Sequence, residues 1–448
     1  MNNLLSFLPA STCVLAVASG LLRLVRLRKS NRFGSLGVAG LGLLLVGAIG
    51  VWKTGFVIGW KGNPPLEWSD GRTPELEPLI RKHCVAFLNQ GRSVGLVVGV
   101  VGPTNATVMA FGRTALSGDA PTRGDTMFEI GSITKTFTAI ALAREIERGT
   151  VRLDQPAQEL LPAGVELPES ARAVTLRHLT THTSGFPRMT IDPTLLLGEF
   201  KMAFFGGNPY AGYTDAIFLD DVRHVKLRSK PGTTSNYSNF GVGLLGYLLA
   251  TRNGVSYETF IKREVCHPLV MDDTTVTLES AQAARFARGY RALLRFGPVL
   301  FGLRSDPWQL GNQFAGAGGL RSTGVDMLKY LQANMHPEGQ PIEHALRESH
   351  RELFHERAKL AFGMNWVRSP NGRLNQTVIW HNGGTGGFRS YLGFTEDGRV
   401  GVVVLSNTAE TVDRLGLALL YDLAKASALS ARSGPATALV TSLPANAI

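Results

Sequence analysis

Ser132 and Lys135 stand three residues apart in the run Phe128-Glu-Ile-Gly-Ser-Ile-Thr-Lys-Thr-Phe137. Beyond them Phe137, Ile140, Ala141 and Ile146 recur at helical spacing, and Gly149 stops the pattern. Ser132 therefore falls at a helix N-terminus, with Lys135 one turn on and on the same face. A serine hydroxyl becomes a nucleophile when a base takes its proton. A lysine amine is such a base once burial or a nearby cation lowers its pKa. The unpaired N–H groups of the helix start favour the charge that develops on an attacked carbonyl oxygen. Acyl transfer is the chemistry this pair can do. Taken singly, the same letters also describe a serine cap followed by a surface lysine, so the rest of the chain has to decide.

The elements that would position the pair are legible in the pattern. Ser93 to Val101 alternates small and β-branched residues, Gly102-Pro-Thr-Asn105 turns, and Ala106 to Arg113 runs back. That predicts a hairpin leading to the Ser132 helix. A helix is expected over 74–90, after Thr73-Pro74. Leu176 to His182 reads as a helix ending in a tight turn at Gly185. His182 itself reads as a buried histidine bonded to that turn, with a catalytic base as the competing reading. Asp192 to Asp221 is rich in aromatics and suits a pocket wall, a lid or an ordinary insertion. Tyr237-Ser-Asn239 follows the Pro231-Gly232 turn and precedes an apolar helix. Gly316 to Gly319 leads into another helix with Ser322 as its expected cap. It lacks the Lys-Ser/Thr ending of a phosphate-binding P-loop. Three strands are expected over 376–407, turned by Gly383 to Gly387 and by Glu396-Asp-Gly398, before a closing helix over 410–428.

Three motifs thus stand in order: Ser132-x-x-Lys135, Tyr237-Ser-Asn239 and His381-Asn-Gly383-Gly384. With the flanking runs Ile130–Phe137, Leu179–Gly185 and Gly318–Thr323, the chain over roughly 75–428 resembles the penicillin-recognising serine hydrolases. It is most similar to the class C β-lactamase-like branch, with its D,D-carboxypeptidases, D-aminopeptidases and esterases. The resemblance implies an α+β fold of the β-lactamase/transpeptidase type. In that fold an antiparallel sheet is flanked by helices, a mostly helical subdomain is attached, and the site lies between the two. It implies Ser132 as the acyl-forming nucleophile and Lys135 with Tyr237 as the general base. Tyr237 can serve as base only where cations such as Lys135 depress its pKa. The resemblance further implies Asn239 bonded to the substrate amide and to Lys135. It gives an oxyanion hole from the N–H groups of Ser132 and Gly384, reached through Gly383. It places His381 against the substrate carboxylate or the tyrosine. Class C β-lactamases usually carry lysine at the His381 position, and a neutral imidazole holds a carboxylate less well. That favours a peptidase or esterase over efficient β-lactam hydrolysis. Arg389 has two open readings, a substitute positive charge or a plain surface residue. No metal or organic cofactor is implied. D-amino-acid peptides or small esters and amides are the expected substrates, with slow β-lactam hydrolysis or a penicillin-binding sensor without turnover as alternatives.

The 448-residue chain carries a formal charge of +11, and six of those charges lie in residues 1–60 with no acid among them. Leu4–Leu22 and Phe33–Trp52 contain no charged residue, and Arg23, Arg26, Arg28, Lys29 and Arg32 lie between. Each apolar run is about the length of a bilayer core. The basic loop is expected to stay cytoplasmic, which puts the catalytic part on the opposite, periplasmic side of a bacterial inner membrane. The expected organisation is a two-helix membrane anchor over 1–60, a linker over 61–73, the hydrolase domain over 74–428 and a disordered tail over 429–448, with a single anchor on the second run, the first lying in the membrane or removed, as the alternative. Nothing basic in the soluble part suggests nucleic acid. Cys84 and Cys266 are far apart in sequence, which favours unpaired thiols over a bridge.

Overall fold

The computed structural model describes residues 56–60, 66–116, 120–296, 299–356 and 360–432. The expected membrane segments 4–22 and 33–52 lie outside the described residues. Among the described residues, no helix is long and apolar enough to cross a membrane.

A nine-stranded sheet forms the spine, and every neighbouring pair in it is antiparallel. From one edge to the other the strands are Glu67–Ser69, Ala106–Gly112, Gly95–Val101, Gly401–Ser406, Arg389–Thr395, Gln376–Gly384, Val367–Asn371, Leu360–Phe362 and Phe354–Glu356. The central strands Gly95–Val101 and Gly401–Ser406 are buried along their whole length. Near-continuous valine suits a strand covered on both faces. One face packs on Glu77–Asn89 and Asp413–Arg432 through Ile80, Phe87, Leu415 and Leu419. The other face packs on Gly324–Met335 and, behind it, on Thr134–Glu147. Phe137 and Tyr330 stack there at 4.0 Å. Thr134–Glu147 is buried almost all round, as expected of a helix between a sheet and a second helical layer. Asn239–Arg252, Tyr257–Ile261 and Asn312–Gly318 close that layer.

Several local expectations are corrected. The first described helix begins at Glu77, because Pro78 suits the first helical turn. The linker contains an edge strand, Glu67–Ser69, bonded to Ala106–Gly112. The cap of Gly324–Met335 is Thr323, whose hydroxyl accepts from the Asp326 N–H. Ser322 instead lies in a two-residue strand paired with Phe128–Glu129 and is bonded to Thr274. The closing helix starts at Asp413 and runs to Arg432. Cys84 and Cys266 are free, as expected, and buried in different core clusters. A small sheet went unread in the pattern: Phe56–Trp60 pairs with Val299–Ser305, which pairs with Gly289–Phe296.

Candidate active site

Gly131–Ile133 forms a tight 3-10 turn that runs directly into Thr134–Glu147. Gly131 takes a φ of +52° there, a conformation that favours glycine. The turn brings Ser132 to the surface of a cavity of about 820 Å³ and puts Lys135 beneath it. The Lys135 amine lies 3.0 Å from Ser132 Oγ and donates to the Ala317 carbonyl at 2.5 Å. Its side chain is fully buried. Burial first, and then the charge of Arg188, hold its pKa well below the ordinary lysine value.

Tyr237 stands across from Ser132 on the turn before Asn239–Arg252. Lys135 Nζ lies 4.9 Å from the centroid of its ring, and the Arg188 guanidinium carbon 5.2 Å from the same point. Burial pushes the phenol up to about 12, against the opposing effects of a hydrogen bond to Ser132 and the Arg188 charge. The Arg188 charge therefore fails to overcome desolvation, and the phenol stays protonated at neutral pH.

His182 has a φ of +59° and accepts a hydrogen bond from the Ser238 N–H at its Nδ1, 3.2 Å away. Its ring lies 4.4 Å from that of Tyr237. The histidine is buried, and burial holds it neutral. It ties the turn at Gly185 to the turn that carries Tyr237.

The strand Gln376–Gly384 forms the opposite wall through Asn382, Gly383 and Gly384. His381 points behind that wall. It is buried, its Nδ1 lies 2.6 Å from the Asn382 carbonyl, and its ring centroid is 6.2 Å from that of Tyr237. Burial, then the Lys135 charge, lowers its pKa to about 3, so it is neutral. Asn239 faces the cavity, with its Oδ1 buried and without a hydrogen-bond partner among the described residues. The expected Asn239–Lys135 bond is not among the bonds Lys135 makes. Arg389 lines the cavity, and its guanidinium donates to the carbonyls of Thr385 and Phe388. It is not a plain surface residue.

The structure thus gathers Ser132, Tyr237, Asn239, Gly383, Gly384 and Arg389 on one cavity, with Lys135 and His381 immediately behind it. Sequence reasoning missed Arg188, Glu199, Trp308 and Asp413, which line the same space. Asp413 Oδ2 accepts from Asn382 Nδ2 at 2.9 Å, at the start of the closing helix. Glu129 lies three residues before Ser132. It is buried, accepts from the Trp308 N–H at 2.6 Å and lies 3.6 Å from Arg321. Desolvation raises it to about 7. A buried acid inside an apolar run was the one available signal for it.

The family model described as β-lactamase matches residues 80–426. A β-lactamase of Pseudomonas fluorescens is 25% identical over 362 residues, covering 74% of this chain and 91% of that protein. The D-alanyl-D-alanine-carboxypeptidase/endopeptidase AmpH of Escherichia coli K12 is 24% identical over 335 residues, covering 70% and 79%. Among solved structures, the D-alanine carboxypeptidase AmpC from Burkholderia cenocepacia superposes with a TM-score of 0.64 at 25% identity, covering 78% of this chain and 99% of that one. A class C β-lactamase superposes with a TM-score of 0.66 at 22% identity, covering 78% and 96%, and shares the fold.

Proposed function

Since the chain belongs to the β-lactamase family of serine hydrolases, we propose that it cleaves D-amino-acid peptides or small esters and amides through an acyl-enzyme on Ser132. The observation that carries this reading is the buried Lys135 amine, 3.0 Å from Ser132 Oγ with a lowered pKa. A neutral amine at that distance can accept the hydroxyl proton as Oγ attacks the substrate carbonyl. The N–H groups of Ser132 and Gly384 receive the developing oxyanion. Collapse breaks the amide or ester bond, and the leaving amine or alcohol takes the proton back from the Lys135 ammonium, with the protonated Tyr237 hydroxyl beside Ser132 as the relay. Water then attacks the acyl group by the same path, releasing the acid and free Ser132.

The substrate reading is supported by the state of His381. A neutral imidazole set behind the wall gives no charge to a β-lactam carboxylate, which weighs toward peptidase or esterase activity. The Arg389 guanidinium on the cavity wall keeps slow β-lactam hydrolysis as a second reading. The carboxypeptidase names of AmpH and AmpC point the same way as the first. For location, the two uncharged runs at the N-terminus and the basic loop between them support an anchored enzyme with its catalytic part outside the cytoplasm.

The test is mass spectrometry of the full chain in detergent after exposure to a fluorophosphonate and, separately, to a penicillin. Adducts on Ser132 with both probes are expected, and the decay of the penicilloyl species separates a β-lactamase from a peptidase. A penicilloyl adduct that never decays, together with no turnover of D-alanyl peptides or esters, would make the protein a sensor. No adduct from a folded protein would end the serine-acyl reading.

A further inference from the structure

The Pro193–Phe205 helix has two sides. Leu195 and Gly198 are buried, and Glu199, Met202 and Ala203 line the catalytic cavity. Leu196, Leu197, Phe200 and Phe204 are exposed, and Ile191 just before the helix is 82% exposed. At about 100° per residue, those four helix residues fall within one arc of about 100°. Phe200 and Phe204 lie against each other at 4.6 Å. Four large apolar side chains on one arc suit a docking face, because isolated exposed hydrophobics are ordinary and clusters are not.

The chain itself indicates what covers this face. The expected membrane span ends at Trp52, and the described residues begin with the strand Phe56–Trp60. Four residues reach at most about 14 Å, so Phe56 is held close to the expected membrane exit. Phe56 pairs with Leu303. The next residue, Arg304, abuts the C-terminal cap of the helix: a Cβ on Gly206 would meet the Arg304 carbonyl at 2.0 Å. The Asp306 N–H also donates to the Gly206 carbonyl at 2.7 Å. The patch is therefore joined through Gly206, Arg304 and Leu303 to Phe56, four residues past the end of the expected span. Lys201, Arg291 and Arg304 are exposed beside it, against two exposed acids, Glu199 and Asp306, and Arg291 donates to the Ala203 carbonyl. An apolar arc flanked by cations suits the interface of a bilayer with anionic headgroups.

We infer that the Pro193–Phe205 helix lies in the headgroup region of the anchoring membrane, so that the mouth of the catalytic cavity opens along the lipid surface. This rests on the anchored reading above. It favours acyl substrates presented at the membrane over freely diffusing ones, because Glu199, Met202 and Ala203 belong to the helix that touches lipid.

The experiment uses the full chain with Cys13→Ser, reconstituted in phosphatidylcholine vesicles with and without phosphatidylglycerol. An environment-sensitive fluorophore is placed at Leu197→Cys and, as a control, at His344→Cys on the exposed side of the Glu343–His350 helix. Lipids with a nitroxide at headgroup depth serve as quencher. Strong quenching and a blue shift at position 197 but not at 344, enhanced by phosphatidylglycerol, are expected. Vesicle flotation reads the anchored reading separately. A chain that floats while the 197 label stays in water overturns the helix inference alone. A blue-shifted 197 label that lipid quenchers do not reach assigns the face to the chain's own N-terminal segment or a second copy, and also overturns it. A chain that does not float overturns both.

Discussion

Gly131 and Gly384 face each other so closely that a Cβ built on Gly131 would stand 2.5 Å from Gly384 N. Gly383 repeats the theme, since a Cβ there would meet the Ile130 carbonyl at 2.0 Å. Ser390 Oγ donates to that same carbonyl at 2.7 Å. The Ser132 turn is thus docked backbone to backbone on the end of the Gln376–Gly384 strand, and the spacing of the two proposed oxyanion donors depends on the missing side chains. Gly131→Ala is expected to lower kcat by about 100-fold with a smaller change in KM, the size of losing one oxyanion donor. It is also expected to cost about 1–3 kcal/mol of stability from the forced positive φ. Steady-state ester hydrolysis and a denaturation curve would measure both. An unchanged kcat would separate the oxyanion hole from this contact.

Ser132→Ala is expected to abolish covalent labelling while leaving the melting transition in place, because the side chain lies at the cavity surface. Lys135→Met removes the proton acceptor and is expected to reduce kcat/KM by roughly 10²–10⁴. Labelling rates with a fluorophosphonate follow the acylation step directly. Labelling of Ser132→Ala at the wild-type rate would remove the nucleophile assignment.

Arg188 acts on the titration of Lys135 from across the Tyr237 ring. The proposed mechanism requires the neutral amine, so activity is expected to fall as pH drops through the lowered lysine pKa. Removing the Arg188 charge with Arg188→Gln raises that pKa, and the acidic limb of kcat/KM is expected to move to higher pH. Because Arg188 is exposed, high salt is expected to shrink the difference between the two profiles. Coincident acidic limbs at low salt would show that another group limits activity in acid.

Glu129 sets a pH dependence of stability. Its folded pKa is raised to about 7 from an ordinary 4.5. The protonated form is the one the fold prefers. Its contribution is therefore fully present below the unfolded pKa and is lost as pH rises through about 7, on the order of 3 kcal/mol in all. Glu129→Gln keeps the shape without the charge and is expected to flatten the stability curve across that window. Urea denaturation at several pH values reads the slope. Parallel curves for the two proteins would assign the window to another group.

The motifs and most elements around them were legible because they are local. The helix after Ser132, the Ser93–Arg113 hairpin and the strands after Gln376 each announce themselves through periodicity and turn residues. The small sheet was not legible, because Phe56–Trp60 finds its partner more than two hundred residues away. Ser322 was misread as a cap because Thr323, its neighbour, is an equally good one. Arg188, Glu199 and Asp413 carry no motif, and only the meeting of the helical layer with the sheet edge places them around Ser132.

Residue order alone determined the chemistry on offer, a serine one helical turn from a lysine, and the family that offers it. Tertiary structure decided the protonation states that make the chemistry work. Burial takes Lys135 down and Tyr237 up and keeps His381 neutral behind the wall, and in the proposed mechanism this leaves the proton-accepting role to the amine. The physical reason is that desolvation and the distance between charges belong to the assembled interior. Spacing along the chain can name the groups that titrate, and packing sets where they do so.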